Sequence, residues 1–429
     1  MNAETLISLV AAAARYRALS RSQYWDAEQL AAYQAEHLAG TLEAAAAIPF
    51  YHSRLGEAPH PSDLESLPVL RRSDLAQLNE SVRSQHSPAQ KYMRSKSSGS
   101  TGESVEMLFD QRHQAGRFAS RARYLASNGW NPLARSAWLI GIRPGSPDGS
   151  LVNAAYLPRA KFFSHLEAFK TQADWLIERD PEYIYSLPSN LEGLLAEFAA
   201  RGQGLPSLKR IFTGGEILED SVRNDARRYL QVEIADNYGS TEAFLAWQCP
   251  SGGYHTNAEH VLIEVVDENG RSVRAGSPGR VLVTTLQNRL MPLIRYDLGD
   301  FAIASSAACS CGRTLPMIEK ILGRGVNLFR LPDGALFSPW QLVESMKAMP
   351  AVRQVQIEQQ TLDRYIVRYA AQNTLGADVE IAIRRGFRTI VGQGAEVIFE
   401  RMAEIPRGAG GKFMAAVSSL SGQTTIETP

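Results

Sequence analysis

The sequence is poor in cysteine, balanced in charge and free of long apolar runs. Three cysteines among 429 residues argue against a disulfide-stapled secreted protein and favour a reducing, cytoplasmic location. Lys plus Arg equals Asp plus Glu, at 45 each, so no overall field attracts nucleic acid or an anionic membrane. The apolar segment from Leu6 to Ala14 is short and has no basic segment before it, which favours an amphipathic helix over a secretory signal. No stretch reaches the roughly 20 apolar residues that span a bilayer. The sequence therefore predicts a cytoplasmic globular protein with no membrane or nucleic-acid partner.

Short β-branched runs alternate with helical patterns over the first three quarters of the chain. Leu208 to Phe212 and Val232 to Ala235 read as strands on either side of a helical segment, Ser221 to Leu230, and Gly279 to Leu286 reads as a further strand. This alternation predicts α/β layers with mostly parallel strands. The length of the chain favours two or three domains.

The last hundred residues follow a different pattern. Val352 to Glu358 and Arg364 to Tyr369 form a strand pair, Val379 to Val391 a helix and Ala395 to Glu400 another strand, which predicts a small α+β module. The glycines of Gly323-Arg324-Gly325 would permit backbone rotation between two bodies. We therefore expect a large domain over residues 1–322 and a small one over residues 323–429.

A segment near residue 100, rich in hydroxyl side chains and glycine, is suited to binding an anion. Its backbone amides and O–H groups can point at one phosphate, and glycine lets the phosphate approach the backbone closely. It lacks the lysine of a P-loop, which argues against a GTPase or a kinase. Its residues are Ser97, Ser98, Gly99, Ser100, Thr101 and Gly102.

Three further motifs follow strands or lie near the C-terminus. Asp236 to Glu242 combines an aromatic that can stack on a purine with a hydroxyl and a carboxylate suited to Mg²⁺, and Thr213 to Glu216 lies upstream. Asp300 ends a glycine turn where its carboxylate could accept both ribose hydroxyls. Gly410-Gly411-Lys412 puts a lysine on a glycine-rich loop. Each motif taken singly is more often an ordinary turn.

Together, in this order, these motifs resemble the adenylate-forming superfamily of acyl-CoA synthetases, adenylation domains and luciferases, over roughly residues 45 to 415. Within it the chain resembles phenylacetate–CoA ligases and CapK-like proteins. Three features carry that likeness: the Ala47 to Tyr51 segment, Asp300 followed by Cys309 to Arg313, and a chain that is short for the superfamily. The resemblance implies an α/β fold, with a large N-terminal domain of layered sheets and helices and a small, mobile α+β C-terminal domain that carries the catalytic lysine.

The resemblance also implies a role for each motif residue. The loop from Ser97 to Gly102 would hold the β- and γ-phosphates of ATP. Lys412 would act at the α-phosphate and the substrate carboxylate, Thr241 at the α-phosphate, and Glu242 on Mg²⁺. The nucleotide site would further include Gly214, Gly215 and Glu216 beside adenine, Tyr238 stacked on it, Asn237, Gly239 and Ser240 of the same motif, and Asp300 with Arg324 at the ribose.

Two positions depart from the superfamily pattern. Val105 stands where the phosphate loop usually ends in lysine, and Asn327 stands where the hinge usually carries aspartate. The second change puts the rotation between the domains in doubt, because an amide cannot make the ion pairs of a carboxylate.

All three cysteines fall in one region with a histidine nearby. Cys249, His255, Cys309 and Cys311 supply a Cys₃His set, and four protein ligands would make a structural zinc site rather than a catalytic one. Some members of the family that the chain resembles carry zinc here. Buried, inert thiols are the alternative interpretation, and His260 is a competing ligand that we place instead at the start of a strand.

The predicted reaction is ATP-dependent activation of a carboxylic acid to its acyl-AMP, then transfer to the thiol of CoA or of a carrier-protein phosphopantetheine. In the superfamily the acyl pocket lies between segments that here are 138–144, 183–188, 212–215 and 237–244. Their aromatic residues favour a small aryl acid, a benzoate or an arylacetate. These residues are Trp138, Tyr185, Phe212 and Phe244.

Several alternatives remain at this stage. The acceptor could be an amine or nitrite, or the chain could be a nucleotide-binding module without activity. A basic helix face of Arg384, Arg385 and Arg388 would suit CoA phosphates or an acidic carrier protein, although an ordinary solvated face explains it as well. The exact acid, the pathway and the oligomeric state, a homodimer among the options, are left open.

Overall fold

The three-dimensional structure is a computed structural model. It describes residues 3–55, 60–85, 92–96, 106–141, 159–325, 328–334, 336–337, 339–347, 349, 352–406 and 414–420. Several predicted features lie outside these residues: the loop from Ser97 to Gly102, Val105, Asn327, and Gly410-Gly411-Lys412.

The chain divides into two compact units. One comprises residues 1–218 and 225–321, and the other comprises residues 219–224 and 322–429. The division of catalytic roles between domains 1–322 and 323–429 remains a prediction.

The described residues form α-helices, 3₁₀ helices and a π-helical turn. The α-helices are α1 (Ala3–Ser22), α2 (Ala27–Ala46), α3 (Pro49–Leu55), α4 (Leu75–Gln85), α5 (Gln111–Ser127), α6 (Phe169–Arg179), α7 (Pro188–Arg201), α8 (Asp220–Asp225), α9 (Trp340–Lys347) and α10 (Ala377–Val391). Two 3₁₀ helices cover Pro61–Ser66 and Arg72–Asp74, and a π-helical turn, Ala226–Leu230, continues α8. No helix among the described residues is long and apolar enough to cross a bilayer.

The strands pair into two main sheets and two small ones. In chain order they are β1 (Met93–Lys96), β2 (Glu106–Phe109), β3 (Ser136–Ile140), β4 (Ala160–Ser164), β5 (Tyr183–Ser186), β6 (Arg210–Gly214), β7 (Glu233–Gly239), β8 (Phe244–Gln248), β9 (Tyr254–Thr256), β10 (Val261–Val266), β11 (Pro278–Thr285), β12 (Tyr296–Ser305), β13 (Met317–Arg324), β14 (Phe329–Arg330), β15 (Leu336–Phe337), β16 (Val352–Gln359), β17 (Arg364–Ala371), β18 (Glu396–Met402) and β19 (Ala416–Ser418).

The large sheet is mixed, and the expectation of mostly parallel strands is therefore wrong. Among the described residues it has 11 strands in the order β10-β11-β12-β13-β9-β8-β7-β6-β5-β3-β4. Strands β3 to β7 pair in parallel, whereas β7 to β9 and β10 to β12 pair with antiparallel neighbours. Parallel strands need a helical crossover, which α6 to α8 supply, while short connections suffice for the antiparallel half. The α/β class is confirmed, and only the strand direction was misjudged.

The core of the parallel half lies between the sheet and α5. Trp138, Tyr185, Phe212 and Ala235 occupy one row across β3, β5, β6 and β7, so their side chains share one face. Tyr124 of α5 packs edge-on against Phe212, with ring centroids 5.5 Å apart. Helix α5 therefore covers the face of the sheet that carries the aromatic residues.

The small unit has a four-stranded sheet in the order β18-β17-β16-β19. Its core joins the sheet to α9 and α10 through residues such as Val343, Ile357, Val367 and Phe387. The predicted α+β module is present. Gly323 and Arg324, however, end strand β13 instead of forming a turn, and Gly323 adopts a φ of +94° that its missing Cβ permits.

A buried ion pair fixes α5 to the sheet. The Arg123 and Glu259 side chains are 1% and 2% exposed, and Nη1 of the arginine lies 2.6 Å from Oε1 of the glutamate. Ser22 donates to the same carboxylate and Arg123 also donates to Asn257 Oδ1. Burial acts to raise the pKa of Glu259, but the charge and hydrogen bonds of Arg123 outweigh it, so the pKa lies below its usual value.

We expect Glu259→Gln to lower the free energy of unfolding by about 3–5 kcal/mol at pH 7, because it leaves Arg123 buried without its counter-charge. A lowered carboxyl pKa stabilises the fold above the unfolded value of about 4.3, and this contribution is lost as the pH falls through the folded pKa. Wild-type stability should therefore fall below about pH 4.3 more steeply than that of the variant.

Urea unfolding between pH 3 and 8 measures both effects. The matched control is Glu233→Gln, which breaks an exposed pair with Arg227 and should cost less than about 1 kcal/mol. Equal losses in the two variants would contradict a special role for the buried pair.

Candidate active site and metal cluster

Strands β6 and β7 end side by side with their motif residues in register. Gly214 lies opposite Asn237, and a Cβ on Gly214 would stand 2.3 Å from the amide nitrogen of that asparagine. Asn237 Nδ2 donates to the carbonyl of Thr213 at 2.5 Å, and Gly215 has a φ of +86°. A side chain at position 214 would displace the Asn237 amide, and one at position 215 would be strained, so glycine is favoured at both positions.

Tyr238 and Asp300 are brought together from positions 62 residues apart in the chain. The Tyr238 hydroxyl donates to Oδ2 of Asp300 at 2.8 Å, and the two residues are 8% and 9% exposed. Behind them, Asp236 on the same face of β7 accepts hydrogen bonds from Thr213 and Tyr254, each at 2.6 Å. The two predicted nucleotide-binding motifs therefore share one place in the fold.

The turn after β7 carries Thr241 and Glu242. The Ser240 amide donates to the carbonyl of Ala243 at 2.8 Å and closes the turn. Arg117 of α5 donates to the Thr241 carbonyl at 2.8 Å, while the Tyr296 hydroxyl donates to Oε1 of Glu242 at 3.2 Å. Glu242 is 5% exposed, so this carboxylate is held in place rather than free in solvent.

Strand β12 contributes a contact to each motif. Tyr296 and Asp300 are four residues apart, on either side of Gly299, which has a φ of +74°; the first contacts Glu242 and the second Tyr238. The sequence motif suggested a role for Asp300 but gave no reason to single out Tyr296, because its contact with Glu242 depends on how β12 and the β7 turn fold together.

Glu216, which the sequence places beside adenine, contacts the first turn of α7. One oxygen of its carboxylate accepts from the Ser189 amide at 2.9 Å, in the first turn of α7. Its other oxygen, Oε1, is buried and has no hydrogen-bond partner within the described part of the chain. A carboxylate at this position complements the partial positive charge of the helix N-terminus.

The predicted acyl-pocket aromatics are also grouped on the α5 side of the sheet. The Trp138 and Tyr185 rings stack with centroids 4.5 Å apart and planes 11° apart. Phe244 packs at 6.1 Å from Tyr124, and Asn237 Nδ2 lies 3.5 Å from the Tyr185 hydroxyl. Residues 142–144 of this predicted pocket lie outside the described residues.

Two arginines of α5 also reach this region, and the sequence analysis missed both. Arg117 reaches the Thr241 turn, and the guanidinium carbon of Arg121 lies 5.0 Å from each of the Trp138 and Tyr185 ring centroids. Their spacing of four residues places them on one helix face, which was the only signal available.

Three further predicted features belong to other parts of the chain. Arg324 belongs to the unit that contains residues 322–429, and that unit is described by itself. The phosphate loop and Lys412 lie outside the described residues. Their roles remain predictions.

The four predicted metal ligands form a cluster in the other half of the sheet. The ligand atoms of Cys249, His255, Cys309 and Cys311 all lie within 4.8 Å of one another. Cys249 Sγ is 3.5 Å from Cys309 Sγ, and His255 Nε2 is 3.2 Å from Cys311 Sγ. Tetrahedral zinc sets neighbouring sulfur and nitrogen ligands roughly 3.5–3.8 Å apart, so the geometry fits.

The protonation of the cluster also suits a metal. Burial lowers the pKa of His255 to about 4, and its Nδ1 lies 3.4 Å from the Leu315 carbonyl, which leaves neutral Nε2 towards the thiols. Burial raises the pKa of Cys249 to about 11, and Cys309 adds to the shift. Burial acts likewise on Cys311, but hydrogen bonds from Arg313 and the other thiols outweigh it and lower its pKa. A cation would supply the charge that deprotonates the buried thiols.

Comparison with known proteins agrees with this arrangement. Residues 159–289 match the family model of AMP-binding enzymes. Over 233 residues the chain is 29% identical to a phenylacetate-coenzyme A ligase of Thermus thermophilus, a match that covers 52% of this chain and 50% of that protein. The chain thus aligns with about half the length of this relative.

Solved structures share the fold. A 2-hydroxyisobutyryl-CoA ligase in its postadenylation state, in complex with 2-HIB-AMP, gives a TM-score of 0.74 at 20% identity, covering 93% of each chain. The amide bond synthetase McbA from Marinactinospora thermotolerans gives 0.56 at 16% identity, covering 80% of this chain and 77% of that one. The resemblance to the adenylate-forming superfamily and the fold class are confirmed.

Proposed function

We propose that this protein is an AMP-forming acid–thiol ligase, which activates a carboxylic acid with ATP and passes the acyl group to CoA. The observation that carries the proposal is the junction at β12, where Asp300 contacts Tyr238 and Tyr296 contacts Glu242. This junction gathers an aromatic ring, two carboxylates and a hydroxyl-bearing turn beside a glycine strand end. A nucleotide needs groups of these kinds for its base, ribose and phosphates.

In the first half-reaction, a carboxylate oxygen of the acid attacks the α-phosphorus of ATP, and pyrophosphate leaves with the electrons of the broken P–O bond. Tyr238 would stack on adenine, Asp300 would accept from the ribose hydroxyls, and Thr241 would donate to the α-phosphate. Arg117 holds the Thr241 carbonyl, so the backbone that carries the hydroxyl is already fixed before ATP binds.

Magnesium fits the donors of this site. Glu242 is a buried carboxylate whose Oε1 is already oriented by the Tyr296 hydroxyl, and Mg²⁺ prefers oxygen ligands. A magnesium ion bound there would neutralise phosphate charge. The predicted lysine, Lys412, would add a second positive charge where negative charge gathers on the α-phosphate.

In the second half-reaction, the thiolate attacks the acyl carbonyl carbon and AMP leaves as the phosphate anion. The names of the phenylacetate-CoA and 2-hydroxyisobutyryl-CoA ligases support CoA as the acceptor. Arg385 and Arg388 are exposed on α10 and would suit its phosphates or an acidic carrier protein. The Trp138 and Tyr185 stack supports an aryl acid.

A different acceptor is the second candidate. The fold is shared with McbA, an amide bond synthetase, so an amine could take the place of the thiol. The adenylation geometry is the same for both acceptors, and the product alone separates them.

Acid-dependent ATP–pyrophosphate exchange tests the first half-reaction. An aryl acid should drive exchange, and Lys412→Ala should lower its rate by about 10²–10³-fold, because it removes a charge that stabilises the transition state. The matched control is Lys209→Ala, whose exposed lysine pairs with Glu182, and this variant should keep the wild-type rate.

Mass spectrometry of the products with CoA, a carrier protein or an amine then identifies the acceptor. ATP binding without exchange for any acid would contradict the proposal and favour a binding module. Full exchange by Lys412→Ala would reject the role of that lysine.

We also infer that Cys249, His255, Cys309 and Cys311 bind one structural zinc ion. The inference is supported by four converging ligand atoms and by the oriented His255 ring. A zinc ion there would tie the hairpin of β8 and β9 to the loop before β13, far along the chain. With four protein ligands it would leave no open position for a catalytic water.

Elemental analysis by mass spectrometry should find about one zinc per purified chain. Cys309→Ser should bind less zinc and unfold at a lower temperature, since a lost ligand lowers metal affinity and metal binding is linked to folding. His260→Gln is the control, because His260 is buried but lies outside the cluster, and it should retain zinc. Zinc-free protein from zinc-supplemented cells would contradict the inference.

A further inference from the structure

Helix α5 presents two arginines to the candidate active site, and only one of them is matched. Arg117 donates to the Thr241 carbonyl; burial and the neighbouring Arg121 lower its pKa to about 10, and the Glu242 carboxylate offsets part of that shift. Arg121, one helical turn further on, approaches Trp138 and Tyr185 at 5.0 Å from each centroid. The site therefore contains a second cation that the Thr241 turn does not use.

Arg121 is incompletely satisfied by the protein. No carboxylate in the described part of the chain forms an ion pair with it, and its Nε is buried without a hydrogen-bond partner there. Arg121 as a whole is half-buried, but buried polar atoms are normally paired, so the unpaired Nε carries a cost. Interaction with two aromatic rings offsets that cost only in part. An anionic ligand would give the Arg121 guanidinium the partner that the described residues do not supply.

The position of Arg121 separates that partner from the reacting end of the acid. Thr241 follows β7, whereas Tyr185 lies on β5 and Trp138 on β3, two and three strands along the sheet. At a spacing of about 4.8 Å between strands, the backbones of β5 and β3 run roughly 10 and 14 Å from that of β7. A group on Arg121 would therefore belong to the far end of the acyl chain or ring, not to the carboxylate that is activated.

We propose that the acid carries a second, distal carboxylate and that Arg121 binds it, so that the substrate is an aryl dicarboxylic acid activated at one end. This inference rests on the acid activation proposed above. A guanidinium binds a carboxylate through two parallel N–H donors, which satisfies it better than a single hydroxyl would. The flanking rings provide a flat apolar surface for the aryl part of the acid.

Symmetrical diacids test the proposal, because either end gives the same product. Pyrophosphate exchange is measured with 1,4-phenylenediacetate against 4-methylphenylacetate, and with terephthalate against 4-methylbenzoate. Wild-type enzyme should prefer the diacid in at least one pair. Arg121→Met should lose about 100-fold in kcat/KM for that diacid and less than about 3-fold for its methyl counterpart.

Two further variants serve as controls for this experiment. Arg121→Lys keeps the charge without the paired donors and should retain part of the preference for the diacid. Arg228→Met removes an exposed arginine from the Tyr229 ring and should change neither rate. Thermal unfolding confirms that each variant is folded before its rates are compared.

The outcomes separate this inference from the proposed function. Exchange driven only by methyl acids and unchanged in Arg121→Met would overturn the inference and leave acid activation standing. Equal losses for both acids in a folded Arg121→Met would make Arg121 a positioning residue and would also overturn it. If no acid drives exchange, the proposed function itself fails, and the inference fails with it.

Discussion

The alternation of side chains along β7 is the constraint on which the candidate site depends. Asp236 and Tyr238 point to one face, where they meet Tyr254 and Asp300, while Asn237 points to the other, towards Tyr185. One strand thus carries residues of the proposed nucleotide site on one face and of the proposed acyl pocket on the other. A shift of register by one residue would exchange the two sets and destroy both.

The surrounding structure holds that register. On one side, β6 pairs with β7 in parallel, and the match of Gly214 with Asn237 tolerates no Cβ. On the other side, β8 pairs antiparallel and leads to the cysteine cluster. The buried pair of Arg123 and Glu259 fixes α5 over the sheet, so that the arginines of the same helix reach the site from a rigid support. These elements are remote in sequence and meet at one strand.

The electrostatics of the site follow from its burial. Glu242 and Asp300 are nearly inaccessible to solvent, and each carboxylate accepts a tyrosine hydroxyl. Charges in such surroundings interact more strongly than in water, which would favour the nucleotide activation that we propose. Arg121 lies beside two aromatic rings, and an anion bound there would interact favourably with its charge.

The sequence by itself determined much of this protein. Spacing of apolar residues predicted the strands around Phe212 and Ala235 and the small module after residue 350, because strand and helix periods are local properties. The order of the motifs indicated the superfamily. The candidate metal ligands could be named from the sequence because cysteine and histidine are the residue types that bind zinc; they are Cys249, His255, Cys309 and Cys311.

Only the tertiary structure decided which distant residues meet. The direction of strands in the mixed sheet depends on how connections cross it, and Gly323 could not be told from a turn glycine because its strand is defined by partners elsewhere. Arg117 and Arg121 belong to no motif, and Tyr296 lies in the Asp300 motif without a predicted role; they matter here because β12 and α5 pack where the β7 turn ends. Strand pairing and helix packing bring together residues that are 60 or more positions apart in the sequence, and local sequence patterns do not predict such contacts.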